Sequence, residues 1–215
     1  MSVKIESLAI PDLKLITAPR YSDERGTFSE TWNRRDLAAA GICCDFVQDN
    51  HAISFEAGTI RGLHFQSEPH AQGKLIRVIR GRIYDVAVDL RPESATFGQW
   101  LAKELAAQTG EQLWVPAGFA HGYYTLEPLT EVVYKVNEYY DPAAEGGIRW
   151  DDPHLNINWP DRNTVTAISP KDRMLPTFND WRRKSAVHVD RGGSLNYDET
   201  NVSRYSLLRP EPVST

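Results

Sequence analysis

The sequence predicts a mainly β protein, a sandwich or jelly-roll barrel carrying a few short helices. Two observations lead there. Between Phe46 and Tyr140, runs rich in Val, Ile, Tyr and Trp recur at intervals of about eight to twelve residues with Gly and Pro between them. Among these runs are RIYDVAVDL (82–90), QLWV (112–115) and EVVYKV (131–136). The second observation is that only NRRDLAAA (33–40) reads as a convincing helix, stopped by Gly41.

In chain order, residues 1–19 hold two short apolar alternations, Val3-Lys-Ile5 and Leu13–Ile16, which suit edge strands around Pro11. Asp23–Glu30 is a turn at Gly26 running into a strand. After Tyr140, residues 141–181 are rich in Pro, Asp and Trp and read as ordered loops and short helices packed on the barrel. From Arg182 the chain turns polar, with Gly192-Gly193 and Pro210, so residues 1–181 are expected to form one domain and 182–215 a tail or an arm that docks on a neighbouring subunit.

Composition narrows the function. The 215 residues suffice for one domain with a substantial core. A net charge of -5, with no basic block before the tail, argues against nucleic acid as a partner. There is no run of about 18 apolar residues, so no membrane span is expected. The N-terminus MSVKIESLAI lacks the pattern of a secretion signal. The two cysteines, Cys43 and Cys44, are adjacent and give neither a disulfide framework nor zinc spacing, which points to a reducing, cytoplasmic home.

Two stretches carry the chemistry. In RGLHFQSEPHAQGK (61–74), His64 alternates with Leu63 and Phe65 and so faces away from the side on which they pack. The stretch opens with a turn bounded by Gly58 and Gly62, and Lys74 closes it. In a barrel the other face is the lumen, where a His and a Lys are costly unless paired or used. Taken alone, His64 reads first as a structural histidine that bonds a backbone carbonyl; the rest of the chain shifts that reading. The second stretch, GEQLWVPAGFAH (110–121), spaces Gly, Pro, Gly and His as in the second motif of the cupin superfamily, which aims His121 inward. Metal-binding cupins pair this with a first motif bearing two histidines one residue apart. Here that region reads His64-Phe65-Gln66, and His64 with His121 would leave a metal short of the three or four ligands it needs. No metal and no cofactor are expected.

RGLHFQ, AQGKLIRV, TFGQW, QLWVPAGFAHG, YKVNEYYDP, IRWDDP and INWP, in that order, resemble the dTDP-4-dehydrorhamnose 3,5-epimerase family over residues 3–181. The resemblance implies a cupin-type jelly-roll barrel acting on a nucleotide sugar, and a homodimer with an exchanged N-terminal strand. A ketone at sugar carbon 4 acidifies the hydrogens on carbons 3 and 5. Inverting each carbon needs a base on one face, an acid on the other and a stabiliser for the enolate. The family implies His64 as base, Asp172 holding its imidazole, Tyr134 as acid and Lys74 as the positive charge beside the enolate oxygen. Singly, Tyr134 also reads as a strand aromatic, Asp172 as a helix N-terminal carboxylate and Lys74 as a turn lysine.

For the nucleotide, the family implies Arg25, Arg61 and Lys171, which suit a pyrophosphate. It also implies Phe28, Tyr139 and Tyr140, of which Phe28 or a tyrosine can stack on thymine, and Gln48, which can read the base's polar edge. Glu30, Asn50, His121 and Glu145 are carried over as further contacts. Relatives that invert only one carbon share this residue set, so a mono-epimerase is the nearest alternative. A metal-dependent cupin and a non-catalytic sugar-nucleotide binder are the others.

Overall fold

A computed structural model describes residues 3–189, with side chains through Ser185. Residues 1–178 make one compact unit and a second begins at Asn179. The chain starts with strands β1 (Lys4–Ser7) and β2 (Lys14–Thr17), a hairpin of β3 (Tyr21–Asp23) and β4 (Gly26–Phe28), and helix α1 (Arg34–Ala39). Eight strands follow: β5 (Gln48–Ser54), β6 (Thr59–Gln66), β7 (Lys74–Arg80), β8 (Arg82–Asp89), β9 (Trp100–Ala106), β10 (Glu111–Val115), β11 (Phe119–Thr125) and β12 (Thr130–Val136). The last elements are β13 (Glu145–Gly147), β14 (Ala167–Ile168), α2 (Pro170–Arg173) and α3 (Phe178–Val189). The start of the expected extension, 182–189, is therefore helical; its remainder, 190–215, lies outside the described residues.

Two sheets face each other. The first runs β1-β2-β10-β7-β12-β5, and the second β13-β6-β11-β8-β9 with β14 parallel to β6. The expected β architecture with few helices is what forms. One strand differs from expectation. β2 is no edge, because β10 pairs with its far side, Leu113 opposite Leu15. Only β1 remains at that end.

The core lies between the sheets. Ile76, Val78, Leu113 and Val132 from the first meet Ile83, Ala87, Leu105 and Phe119 from the second. Each of these side chains except the smaller Ala87 contributes about 1.5–3 kcal/mol by leaving water. The same inward files also carry polar groups. On β7 the file runs Val78, Ile76, Lys74, and on β12 it runs Val132, Tyr134, following the period of two. Apolar residues thus fill one part of the interior and polar ones line another.

The outer face of the first sheet is covered as well. Leu37 of α1 packs there with Ile16, Ile42, Leu75 and Trp114. Asn33 caps that helix by accepting from Arg35 N.

The β6–β11 pairing departs from a regular ladder. His121 lies opposite His64, but Tyr123 lies opposite Arg61, so β6 holds one residue more than its partner. Gly62 sits in this bulge at φ 113°, and a Cβ there would come within 2.7 Å of the His121 carbonyl oxygen and of Gly122 Cα. A side chain at 62 would push the strands apart. Gly58 occupies the expected turn, whereas Gly62 belongs to the strand interior.

Candidate active site

The bulge decides which side chains meet. Arg61 and His64 are three residues apart and would face opposite ways on a regular strand. With the extra residue between them, both line one cavity of about 510 Å³ between the sheets. A bulge also leaves a backbone group without a ladder partner. Here the Gly62 N–H donates to Asp172 Oδ2 at 3.1 Å.

Asp172 is held from two further directions. The Ser169 hydroxyl caps α2 by accepting from Asp172 N at 3.0 Å, with Pro170 at the first helical position. The other carboxylate oxygen lies 2.7 Å from His64 Nε2. Burial alone would raise the Asp172 carboxyl, but the bonds from His64, Gly62 and Ser169 outweigh it and hold the group below the usual range. An ionised carboxylate only accepts, so His64 Nε2 carries the hydrogen of this bond, which in the neutral imidazole leaves the lone pair on Nδ1.

Lys74 opens β7 and donates from Nζ to the His64 carbonyl at 3.1 Å. Burial pushes its ammonium down to about 8, against the pull of Asp85 and Glu145. Tyr134 lies on β12, across the cavity from β6. Burial raises its phenol, partly offset by Arg61 and reinforced by Glu145, so it stays protonated near neutrality. Arg61 is anchored to β5, donating from Nε to Ser54 Oγ at 3.1 Å and from Nη2 to the Ile53 carbonyl at 2.9 Å. His121, cross-strand neighbour of His64, donates from Nε2 to Asp85 at 2.9 and 3.0 Å. Both histidines therefore bond carboxylates through Nε2. Among the described residues, no three His, Cys, Asp or Glu side chains are grouped to hold a metal ion.

A second group connects to Lys171, which also lines the cavity. Lys171 Nζ lies 2.5 Å from Glu145 Oε2, and Tyr140 Oη donates to the same oxygen at 2.7 Å. Burial raises the Glu145 carboxyl less than these two partners lower it. Gln48 Oε1 accepts from Tyr140 N, and Gln48 Nε2 donates to Asn50 Oδ1 at 2.8 Å. Tyr139 is 63% exposed.

Three expected contacts stand apart. Arg25 and Phe28 belong to the β3–β4 hairpin, a two-stranded sheet of its own. Arg25 pairs with Asp23 at 2.6 Å, and Glu30 accepts from Asn33 Nδ2 at 2.9 Å at the start of α1. None of the three is among the described residues lining the cavity.

Sequence reasoning missed Asp85, Ser54 and Ser169. A signal existed for Asp85: it interrupts the inward file of an apolar strand, where a buried carboxylate requires a partner. Ser169 had a local signal too, a serine before Pro170 and three residues ahead of Asp172, the spacing of a helix cap; Ser54 gave none, since its partner Arg61 lies on another strand.

A sequence profile described as dTDP-4-dehydrorhamnose 3,5-epimerase matches residues 7–180. A relative of that name from Sinorhizobium fredii is 48% identical over 177 residues, covering 80% of this chain and 88% of its own. The crystal structure of the enzyme of that name from Bacillus anthracis, with TDP and PPi bound, superposes with a TM-score of 0.78 at 49% identity, covering 82% of this chain and 99% of that one. The Legionella pneumophila dTDP-6-deoxy-D-glucose-3,5-epimerase, solved with dTDP-4-keto-L-rhamnose, gives a TM-score of 0.78 at 43% identity over 82% of this chain and 93% of that one.

Proposed function

The chain belongs to the dTDP-4-dehydrorhamnose 3,5-epimerase family, and from that premise we propose that it inverts carbons 3 and 5 of dTDP-4-keto-6-deoxy-D-glucose, giving dTDP-4-keto-L-rhamnose. One observation carries the reading: His64 and Tyr134 come from opposite sheets and line one cavity. Inversion needs a proton taken from one face of the sugar and returned to the other, and base and acid on facing walls suit that requirement.

In the proposed reaction His64 Nδ1 removes the hydrogen from the carbon beside the ketone. Charge develops on the carbon 4 oxygen, and the Lys74 ammonium offsets it. A preorganised charge in a buried wall is the strongest stabiliser of such an intermediate. The Tyr134 hydroxyl then protonates the opposite face. The proton gained by His64 and the one lost by Tyr134 re-equilibrate with solvent, so each inverted carbon acquires a solvent hydrogen. None of these steps calls on a metal or a cofactor.

Arg61 and Lys171 suit the pyrophosphate, and the Tyr139–Tyr140 rings with Gln48 suit the thymine. Arg25, Phe28 and Glu30 are taken to serve a second copy of the chain, in a homodimer that exchanges its N-terminal strand. Two features support this: β1 lies at an open sheet edge, and the hairpin stands outside its own cavity. The enzyme is taken as cytoplasmic, in keeping with its two free cysteines.

The test is proton NMR of the substrate in heavy water. Exchange and inversion at both carbons are expected in the wild type; Tyr134→Phe should keep exchange and lose inversion. Exchange at one carbon would make the chain a mono-epimerase, and none at either would overturn the reaction.

A further inference from the structure

Gln66 stands two residues after His64, at the place where metal-binding cupins carry their second histidine, and the chemistry above gives it no part. The residue is 5% exposed, and its carboxamide makes three hydrogen bonds. Nε2 donates to the His70 carbonyl at 2.6 Å and to the Tyr139 carbonyl at 3.1 Å, while Oε1 accepts from Asp141 N at 2.9 Å. Both amide hydrogens and one oxygen lone pair are thus engaged. A buried amide so occupied holds the backbone it bonds.

That backbone belongs chiefly to residues 138–141, between β12 and β13. They form neither strand nor helix, so a sheet ladder does not serve their polar groups. Side chains serve them instead. Gln66 brackets Tyr140, bonding the carbonyl before it and the N–H after it, and Gln48 Oε1 accepts from Tyr140 N at 3.0 Å. Gln72 Nε2 donates to the Glu138 carbonyl at 2.7 Å. The main chain is therefore fixed from β5, from β6 and from the loop after β6, yet Tyr139 and Tyr140 are 63% and 52% exposed. Two aromatic residues on a fixed main chain, open to solvent, have already lost much of the freedom that binding a flat ring would otherwise remove. The segment is also tied to the cavity, because Tyr140 Oη shares Glu145 Oε2 with Lys171, which lines it.

We infer that Gln66 is a positioning residue for the nucleobase: its carboxamide fixes the Tyr139–Asp141 backbone and so holds the two tyrosines ready to stack on thymine. This deepens the proposed nucleotide-sugar reading and rests on it. Where a metal-binding cupin uses this position for a ligand, here it serves binding of the base, apart from the proton transfers of His64 and Tyr134.

The test is Gln66→Met, which keeps the length of the side chain and deletes the three bonds. Two probes are titrated calorimetrically: dTDP, and inorganic pyrophosphate, which shares the phosphates and lacks the base. The variant should bind dTDP about tenfold more weakly and pyrophosphate as the wild type does, with kcat nearly unchanged at saturating substrate. Unchanged affinity for dTDP would overturn the inference. So would equal weakening for both probes, which is what a general loosening of the fold gives. A second measurement needs no variant and decides the case if Gln66→Met does not fold. Amide hydrogen exchange in the free wild type should be slow at Tyr140 and Asp141, and dTDP should slow it little further. Fast exchange there, slowed by dTDP, would mean that the ligand orders the segment, and would overturn the role of Gln66. A wild type that binds dTDP no tighter than pyrophosphate would remove the nucleotide reading and the inference with it. A wild type that prefers dTDP, with a variant that keeps the preference, would leave that reading and remove Gln66 alone.

Discussion

The cavity wall and the β3–β4 hairpin both carry charge, in opposite conditions. In the wall Asp85, Asp172 and Lys74 are 0%, 3% and 7% exposed, and each bonds a group fixed by a strand or a cap. On the hairpin the Arg25 side chain is 85% exposed and, among the described residues, bonds only Asp23, two residues away. Charges in the wall act through a low-dielectric medium with their geometry already set, which is the condition for stabilising an intermediate. An exposed pair such as Arg25–Asp23 contributes little to stability and exchanges partners readily. The fold sets the wall's charges in place, and it leaves the hairpin's free to change partners.

The largest test of that division is His64→Asn. Loss of a general base typically costs about 10²–10⁴-fold, and exchange at carbons 3 and 5 should fall together by that amount. Affinity for dTDP should hold, because Arg61 and the Tyr140–Glu145–Lys171 group do not depend on His64 for their bonds. Exchange near the wild-type rate at either carbon would place the base elsewhere.

A smaller effect should appear with pH. Lys74 titrates at about 8; it is charged below that value and neutral above it. Stabilisation of the enolate is therefore present at neutral pH and lost as pH rises, and kcat/KM should fall about tenfold per unit on the alkaline side. Asp172, held below the usual carboxylate range, stays ionised throughout and adds no limb there. Lys74→Arg keeps its charge and should remove the limb. A profile flat up to the range where an ordinary lysine titrates would exclude Lys74 from this role.

The wall was legible in the sequence where one strand's pattern sufficed. The Gly110–His121 spacing located β11 and its inward histidine, and the alternation of Leu63, His64 and Phe65 gave the side His64 faces. Arg61 was harder. Only the bulge at Gly62 brings it to the face of His64, and a bulge is a property of two paired strands. Asp85 is known as the partner of His121 once β8 is seen beside β11. β2 read as an edge because its partner β10 lies far along the chain. The hairpin residues matched the family's motifs, yet a sequence match does not say whose cavity a residue serves.

That question leads to the smallest effect and the sharpest use of the comparison. Arg25→Ala removes an exposed cation expected to meet the pyrophosphate, so KM should rise about tenfold with kcat nearly unchanged. By itself this outcome does not say which subunit's site lost the contact. Mixing the variant with His64→Asn and allowing subunits to exchange does. If the hairpin serves the neighbour, each mixed dimer holds one site with both defects and one with neither. At equal amounts about a quarter of all sites are then intact, and at low substrate the rate should recover to about that share of wild type. If the hairpin folds back on its own chain, every site keeps one defect, and mixing only dilutes the Arg25→Ala enzyme. Recovery would mean the wall and the hairpin of one chain work in different sites; no recovery, with the KM effect intact, would confine both to one chain and retire the exchanged arrangement.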